Sequence, residues 1–270
     1  MQPPVYQVYA LRFGTQAKRT ARANFLGADF HDAPMPLDHF VWAIVGPTGD
    51  PSPQAIIVDT GMGTDTADKR PGRTILNPVD LMLARIGIDC AKVRDVVLTH
   101  LHHDHAGCMD LFPVARFHVQ DAEMAHSTGR CMCHTALRWA YDAEHVVTAV
   151  RRVFDGRMAF HAGTSEIAPG VTLHLIGGHT GGLQVVRAPT ARGWLVLASD
   201  AAVYWANIRQ RIPFPGVVDV SRMLEGFGIL ESLAGGPDHI IPGHDPAVLT
   251  RFPAVPGVAD VVRLDLPPLA

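Results

Sequence analysis

Thr99-His100-Leu101-His102-His103-Asp104-His105-Ala106-Gly107 holds four ligand-type side chains, His100, His102, Asp104 and His105, in the pattern H-x-H-x-D-H. Neutral imidazole and carboxylate are the donors that zinc, iron and manganese accept. The apolar, β-prone run Val96-Val97-Leu98 precedes the cluster, so it sits where a buried strand ends. Side chains alternate along an extended segment, which points His100 and His102 one way and Leu101 into the core. His103 falls outside that arrangement and reads as a bystander. Asp104 to Gly107 read as the entry to a helix. A strand end followed by a helix start is where α/β sheets keep their sites.

Three further ligand-type residues close apolar runs. His179 lies in Ile176-Gly177-Gly178-His179-Thr180-Gly181-Gly182, directly after Val171-Thr172-Leu173-His174-Leu175. Asp200 ends Trp194-Leu195-Val196-Leu197-Ala198-Ser199-Asp200, and His244 follows His239-Ile240-Ile241-Pro242-Gly243. Each alone is a weak signal, because a lone histidine is more often a plain core or surface residue. Their recurrence after the same kind of strand makes them a set. Glycines beside His179 and His244 let the backbone turn tightly and come close to a ligand.

With Asp59 in Ile56-Ile57-Val58-Asp59-Thr60-Gly61, these residues resemble the metallo-β-lactamase superfamily over roughly residues 39 to 250, in order as well as in type. The resemblance implies an α/β fold, a four-layer αββα sandwich, with metals at one edge between the two sheets. On that pattern His100, His102 and His179 hold one divalent ion. Asp104, His105 and His244 hold a second. Asp200 bridges both, opposite a water or hydroxide, since two neighbouring dications need an anionic bridge. Zinc is the first expectation, with iron, manganese or cobalt acceptable to the same donors. Asp59 is expected to be structural, bonding the backbone of the ligand loop. Asp104 is also the implied proton shuttle. Coordinated water titrates near pH 7, so the implied reaction is hydrolysis of an ester, lactone, thioester or amide without a serine or cysteine nucleophile.

Within the superfamily the chain is most similar to the N-acyl homoserine lactonase-like group, which implies a lactone substrate and quorum quenching. The full ligand set and the Pro242-Gly243-His244-Asp245 ending carry that likeness. The glyoxalase II branch has a helical glutathione-binding domain after the last ligand, and 26 residues follow His244 here, too few for it. One departure concerns a tyrosine that these lactonases place three residues after the bridging aspartate. Position 203 is Val203 and the tyrosine is Tyr204, a second catalytic candidate that either touches substrate or packs in the core. Residues 15–38 and 120–145 are the expected pocket walls, with Phe30, Met35, Phe40, Met132 and Trp139 as an apolar lining suited to an acyl chain. Two other readings stay open: a single-iron sulfur (persulfide) dioxygenase, and a non-catalytic metal-binding domain. Retention of His105 and His244 argues against the first.

Hydrophobic residues make up 47% of the chain and charged ones 18%, which suits a protein with a sizeable core. The 270 residues show no polar linker, so one domain over 1–270 is expected, with an arm at about 15–38. A net charge of −3 without a basic run gives no footprint for nucleic acid. No apolar stretch is long enough for a membrane span. Met1 to Tyr6 lack a basic segment followed by an apolar one, so a cytoplasmic location is expected. The partner expected is a small-molecule lactone or ester, and the sequence leaves room for a homodimer. Cys90, Cys108, Cys131 and Cys133 do not form two C-x₂-C pairs, so free thiols are expected rather than a structural zinc. Cys131-Met132-Cys133-His134 reads as small buried side chains at a helix start, against the sharper reading of a third metal site.

Strands are expected at 4–12, 39–46, 54–59, 94–99, 116–119, 158–161, 171–176, 183–189, 193–199 and 238–242. Helices are expected at 78–87, from 104, at 120–127, 134–153 and 219–234.

Overall fold

Alternation along the strands sorts the apolar side chains into three separate cores, and that sorting makes the layers. The computed structural model describes residues 3–27, 33–46 and 50–269. Its strands are β1 (Gln7–Gln16), β2 (Leu37–Val45), β3 (Ile56–Val58), β4 (Thr74–Ile75), β5 (Asp95–Val97), β6 (Arg116–Gln120), β7 (Met158–His161), β8 (Thr164–Ala168), β9 (Val171–Leu175), β10 (Gln184–Thr190), β11 (Gly193–Ser199), β12 (Ile240–Pro242) and β13 (Val261–Arg263). Its helices are α1 (Pro51–Gln54), α2 (Thr64–Asp68), α3 (Val79–Arg85), α4 (Asp121–Thr128), α5 (Thr135–Arg138), α6 (Ala143–Phe154), α7 (Trp205–Gln210), α8 (Val220–Leu233) and α9 (Ala247–Arg251).

The first sheet runs β13-β1-β2-β3-β5-β6-β7, with β4 also pairing β1, and the second runs β12-β11-β10-β9-β8. On β2, Phe40, Trp42 and Ile44 face the space between the sheets, where they meet Val186, Ala188, Leu195 and Leu197 of β10 and β11. The alternate residues Val41, Ala43 and Val45 face outward and join Met82 and Leu83 of α3 and Ala149 of α6. The second sheet does the same, with Val185, Val196 and Ala198 packing under Met223, Phe227 and Leu230 of α8. Helix, sheet, sheet and helix therefore stack as the αββα sandwich expected from the sequence. Among the described residues no helix is long and apolar enough to cross a membrane.

Strands β3, β5, β11 and β12 end on the same rim. β3 and β5 are parallel neighbours, as are β11 and β12. β9 runs antiparallel to β10, and β10 antiparallel to β11, so β9 also ends there. The loops leaving these five strands carry Asp59, the histidine stretch, His179, Asp200 and His244.

The structure corrects several local expectations. No α-helix starts at 104. The stretch closes in turns, with the N–H groups of His105 and Ala106 both bonded to the His102 carbonyl, and a 3₁₀ turn follows at Met109–Leu111. The backbone is committed instead to Gly61, whose carbonyl accepts from Gly107 N–H at 2.8 Å. The helix expected over 134–153 is divided into α5 and α6. Tyr141 bridges to His102 between them, and the Asp142 side chain caps α6. Strands β8 and β13 and helices α7 and α9 are short elements that the sequence pattern did not reveal.

All four cysteines are free; Cys133 is exposed and Cys131 half-buried on a 3₁₀ turn at Arg130–Cys133. The expectation of a buried helix start does not hold for them, and neither joins a metal-ligating group among the described residues. Burial, helped by Asp80 and Asp110, pushes the Cys108 thiol up to about 12; burial with Asp80 and Asp89 pushes Cys90 up to about 11. Both stay protonated at pH 8, and the thiolate is the reactive form. Ellman titration of native protein is expected to label Cys133 and Cys131 quickly, with Cys90 and Cys108 reacting only on unfolding.

Candidate metal centre

Three groups of donor atoms gather at this rim, each within 4.8 Å: His100, His102 and His179; His100, His105 and Asp200; and His39, Asp104 and His244. All seven ligand residues singled out in the sequence are brought together, from four separate loops. His102 Nδ1 lies 2.8 Å from His179 Nε2. Asp200 sits between two sets. Its Oδ1 is 2.9 Å from His244 Nε2 and 3.3 Å from His105 Nε2, while Oδ2 is 3.4 Å from His179 Nε2.

The outer hydrogen bonds fix which ring nitrogen faces inward. His244 Nδ1 donates to the Asp38 carbonyl at 2.7 Å, and His179 Nδ1 donates to the Gly216 carbonyl. Carbonyl oxygens only accept, so the proton is on Nδ1 and Nε2 keeps its lone pair. His105 Nδ1 donates to Asp59 Oδ2 at 2.7 Å. Asp59 also accepts from Thr99 N–H at 2.7 Å and from the Thr99 hydroxyl at 2.8 Å. That hydroxyl has spent its proton, so it accepts from His100 Nδ1 at 3.1 Å. Such outer partners orient ligands and raise their basicity. Asp59 thus holds the ligand loop, as expected, and also braces His105 directly. Asp59→Ala is expected to weaken metal affinity about 10–100-fold, measured by competition with a chromophoric chelator.

The backbone bends sharply to allow this. Asp59 has φ 62° and Ser199, just before Asp200, has φ 44°; such positions cost of order 1–3 kcal/mol and cluster at functional sites. Gly178 has φ +86°, and a Cβ there would lie 2.8 Å from the Met223 backbone. A Cβ on Gly243 would lie 2.7 Å from the Ser199 backbone. These two glycines let the loops before His179 and His244 close onto the rim.

Two ring nitrogens, His100 Nε2 and His105 Nε2, are buried without a hydrogen-bond partner. Buried polar atoms are rarely left so. Orphaned imidazole nitrogens, converging rings and a two-sided carboxylate fit a pair of divalent ions. The charges agree. Burial and the neighbouring rings of His105, His102 and His179 hold His100 well below the ordinary imidazole value, so it stays neutral. Burial, then His179, does the same to His102. Burial opposes charge on Asp200, but His244 and His105 outweigh it and keep it ionised. Asp104 is likewise held well below the carboxylate range by His103 and His105 against the cost of burial. His105 is the exception: burial opposes its charge, but Asp59, Asp104 and Asp200 raise it well above the usual value, so an ion binding at its Nε2 would displace a proton.

Other expectations fall differently. His103 is outside all three donor groups; its Nδ1 binds the Ala140 carbonyl at 2.7 Å. Tyr204 does not join the cluster. Its hydroxyl donates to the Pro36 carbonyl and lies 3.3 Å from that of Met35, pinning the arm. Val203, not Tyr204, lines the cavity of about 320 Å³ beside the donors. Of the expected apolar lining, Trp139 faces that cavity. Phe40 is buried between the sheets, Met132 packs on the outer core of the first sheet, and Met35 packs on that of the second. Phe30 lies outside the described residues.

Two residues escaped the sequence reading. His39 Nδ1 is 3.1 Å from Asp104 Oδ2, and its Nε2 is 3.2 Å from Gln16 Nε2. Burial lowers His39 to about 4, so it is neutral, with Nδ1 facing Asp104. The signal was an imidazole inside the fully buried strand Leu37–Val45, where a polar ring needs a partner. Glu123 is fully buried. It accepts from Leu101 N–H at 2.9 Å, the Tyr141 hydroxyl at 3.0 Å, the Thr180 hydroxyl at 2.5 Å and Gly182 N–H at 3.2 Å. One carboxylate therefore ties the histidine loop to the His179 loop.

Comparison with known proteins follows the same lines. The chain is 30% identical over 183 residues to a probable metallo-hydrolase of Mycobacterium tuberculosis, covering 59% of this chain and 57% of that one. It is 29% identical over 193 residues to the N-acyl homoserine lactonase AttM of Azorhizobium caulinodans, covering 65% and 66%. The chain thus spans about six-tenths of the length of these relatives. A crystal structure of a quorum-quenching N-acyl homoserine lactone lactonase superposes with a TM-score of 0.72 at 22% identity, covering 91% of this chain and 95% of the other. The family model described as the metallo-beta-lactamase superfamily matches residues 38–251, a span from just before His39 to just after His244, and the chain belongs to that superfamily.

Proposed function

We propose that this protein is a two-metal hydrolase that opens a lactone or related ester, with an N-acyl homoserine lactone-like compound as the first substrate class to test. Such an activity would quench quorum signals. In this reading His100, His102 and His179 hold one ion, Asp104, His105 and His244 the other, and Asp200 both. The observation that carries it is Asp200, whose two oxygens face the two donor sets separately. When bound, a pair of divalent ions lowers the pKa of water to about 7 and polarises a substrate carbonyl.

The chain's own residues supply the rest. Asp104, held ionised by His103 and His105 and facing His39, is placed to take and pass a proton. Asp59 and the Asp38 and Gly216 carbonyls keep the rings aimed. Trp139, Leu137, Phe214 and Val217 give the cavity an apolar wall. The lactonase relatives support the choice of lactone. A solved neighbour, 20% identical with a TM-score of 0.71, has the product N-hexanoyl-L-homoserine at its catalytic metal centre. The competing single-iron dioxygenase needs one set of two histidines and an aspartate, and the retention of His105 and His244, assigned here to a second ion, speaks against it.

The test is metal analysis with a pH-stat assay on lactones of varied acyl length. Two ions per chain and lactone opening are expected, with His102→Ala losing both metal and turnover. Full turnover with normal metal loading in that variant, or a single iron with oxygen uptake, would overturn the reading.

A further inference from the structure

The cavity beside the donors has two unlike walls. Leu137, Trp139, Phe214 and Val217 form the apolar one. A polar part of the lining is built where β1 meets β4. Thr15 pairs with Thr74 there, so one step further along the antiparallel ladder Gln16 and Arg73 face each other. Arg19 reaches back to the same place, with Nη1 3.3 Å from Gln16 Oε1. Gln16, Arg19 and Arg73 all line the cavity.

Neither arginine has a carboxylate partner among the described residues. Arg19 is steadied by neutral acceptors, Asn24 Oδ1 at 2.6 Å and the Ala23 carbonyl at 2.8 Å. The Arg73 side chain makes no hydrogen bond or ion pair with any described residue, and its Nε is buried without a partner. The described carboxylates lining the cavity are Asp104 and Asp200, and both are committed to the metal-ligating groups. Burial, with Arg73 adding to it, opposes charge on Arg19, while Tyr204, Asp104 and Asp200 offset part of that effect. Holding two unpaired cations together in a half-buried wall costs energy. An anion between them would relieve that cost, and a guanidinium fork matches a carboxylate or phosphate.

We infer that the Arg19–Arg73 wall is a subsite for a second anionic group on the substrate, a carboxylate or phosphate carried on an arm away from the bond that is cleaved. This deepens the hydrolase reading and rests on it for the reaction, but not for the binding. A plain acyl chain would satisfy the apolar wall and leave both guanidinium groups unpaired. The substrate class is therefore an anionic lactone or ester, in place of the uncharged N-acyl homoserine lactones with which testing starts.

The test compares γ-lactones bearing an alkyl arm with lactones whose arm has the same length and ends in carboxylate or in phosphonate. The expected result is a kcat/KM at least about tenfold higher for an anionic arm, the size of one charge-assisted hydrogen bond, carried mainly in KM and shrinking as salt rises. The carboxylate and phosphonate series tell which anion the wall takes. Arg73→Gln is expected to reduce the anionic-to-neutral ratio about tenfold, and Arg73→Lys to restore part of it. Calorimetry of metal-free protein with the ring-opened hydroxydicarboxylate gives a readout independent of turnover, with binding lost in Arg73→Gln. Equal or better turnover of the neutral lactones, with a ratio unmoved by Arg73→Gln, would overturn the inference while leaving the hydrolase reading standing. Arg73-dependent dicarboxylate binding without hydrolysis of any lactone would support the subsite and sink the reaction assigned to it.

Discussion

Asp200→Ala is expected to lose at least about 10³-fold in turnover, ~4 kcal/mol at 1.36 kcal/mol per decade, and to lower occupancy at both cation positions rather than one. The argument is geometric. Oδ1 faces His105 and His244, and Oδ2 faces His179. No other carboxylate among the metal-ligating groups faces both sets; Asp104 belongs to the group with His39 and His244. Removing Asp200 would leave two bound dications with only a water or hydroxide to offset their repulsion, so the second ion to bind would be weakened most. Asp200→Asn keeps the shape and one lone-pair oxygen but not the charge, and is expected to fall between wild type and alanine. Steady-state kinetics beside metal content per chain measures both effects. Loss of turnover with two ions retained would mean that Asp200 acts on substrate and does not bridge.

Glu123→Ala is the substitution expected to cost most in stability, about 4 kcal/mol or more. It strips a fully buried carboxylate from four donors, two backbone N–H groups and two hydroxyls. Each buried donor left unmade costs roughly 1–3 kcal/mol, and the costs are not additive. The fall in melting temperature is on the order of 10 °C for a chain of this size. Glu123→Gln is expected to cost less, since its oxygen still serves one pair of donors while its NH₂ faces the other. Because the carboxylate joins the histidine loop to the His179 loop, metal affinity falls with stability in both variants. Urea unfolding and a thermal melt check the first claim and chelator competition the second. A change within about 0.5 kcal/mol, the range of an ordinary surface substitution, would contradict this role for Glu123.

The ligand loop was legible because its chemistry is local. His100, His102, Asp104 and His105 are neighbours in sequence, and the apolar run before them marks the strand whose end they occupy. His179, Asp200 and His244 were legible for a related reason, each closing an apolar run that had to be a buried strand. The strand alternation that separates Phe40, Trp42 and Ile44 from Val41, Ala43 and Val45 carries the layering as well.

What stayed hidden depends on distant partners. Glu123 lies in the first turn of α4, where an acid ordinarily favours the helix N-terminus and faces water; its burial comes from the loops at 101 and 180–182. Arg73 sits in a glycine- and charge-rich stretch, and only the β1–β4 pairing turns it to the cavity. The helix expected over 134–153 breaks because Tyr141 is drawn into a bridge with His102, a tertiary contact that overrides local propensity. Tyr204 is directed to the carbonyls of Met35 and Pro36 by the path of the arm, which no pattern in residues 15–38 reveals.

An anomalous difference map from crystals of the metal-loaded protein, recorded at the absorption edge of the bound metal, tests the central claim most directly. Two peaks per chain are expected, one among His100, His102 and His179, the other among Asp104, His105 and His244, with Asp200 between them. A single peak, or a second peak away from His244, would contradict it.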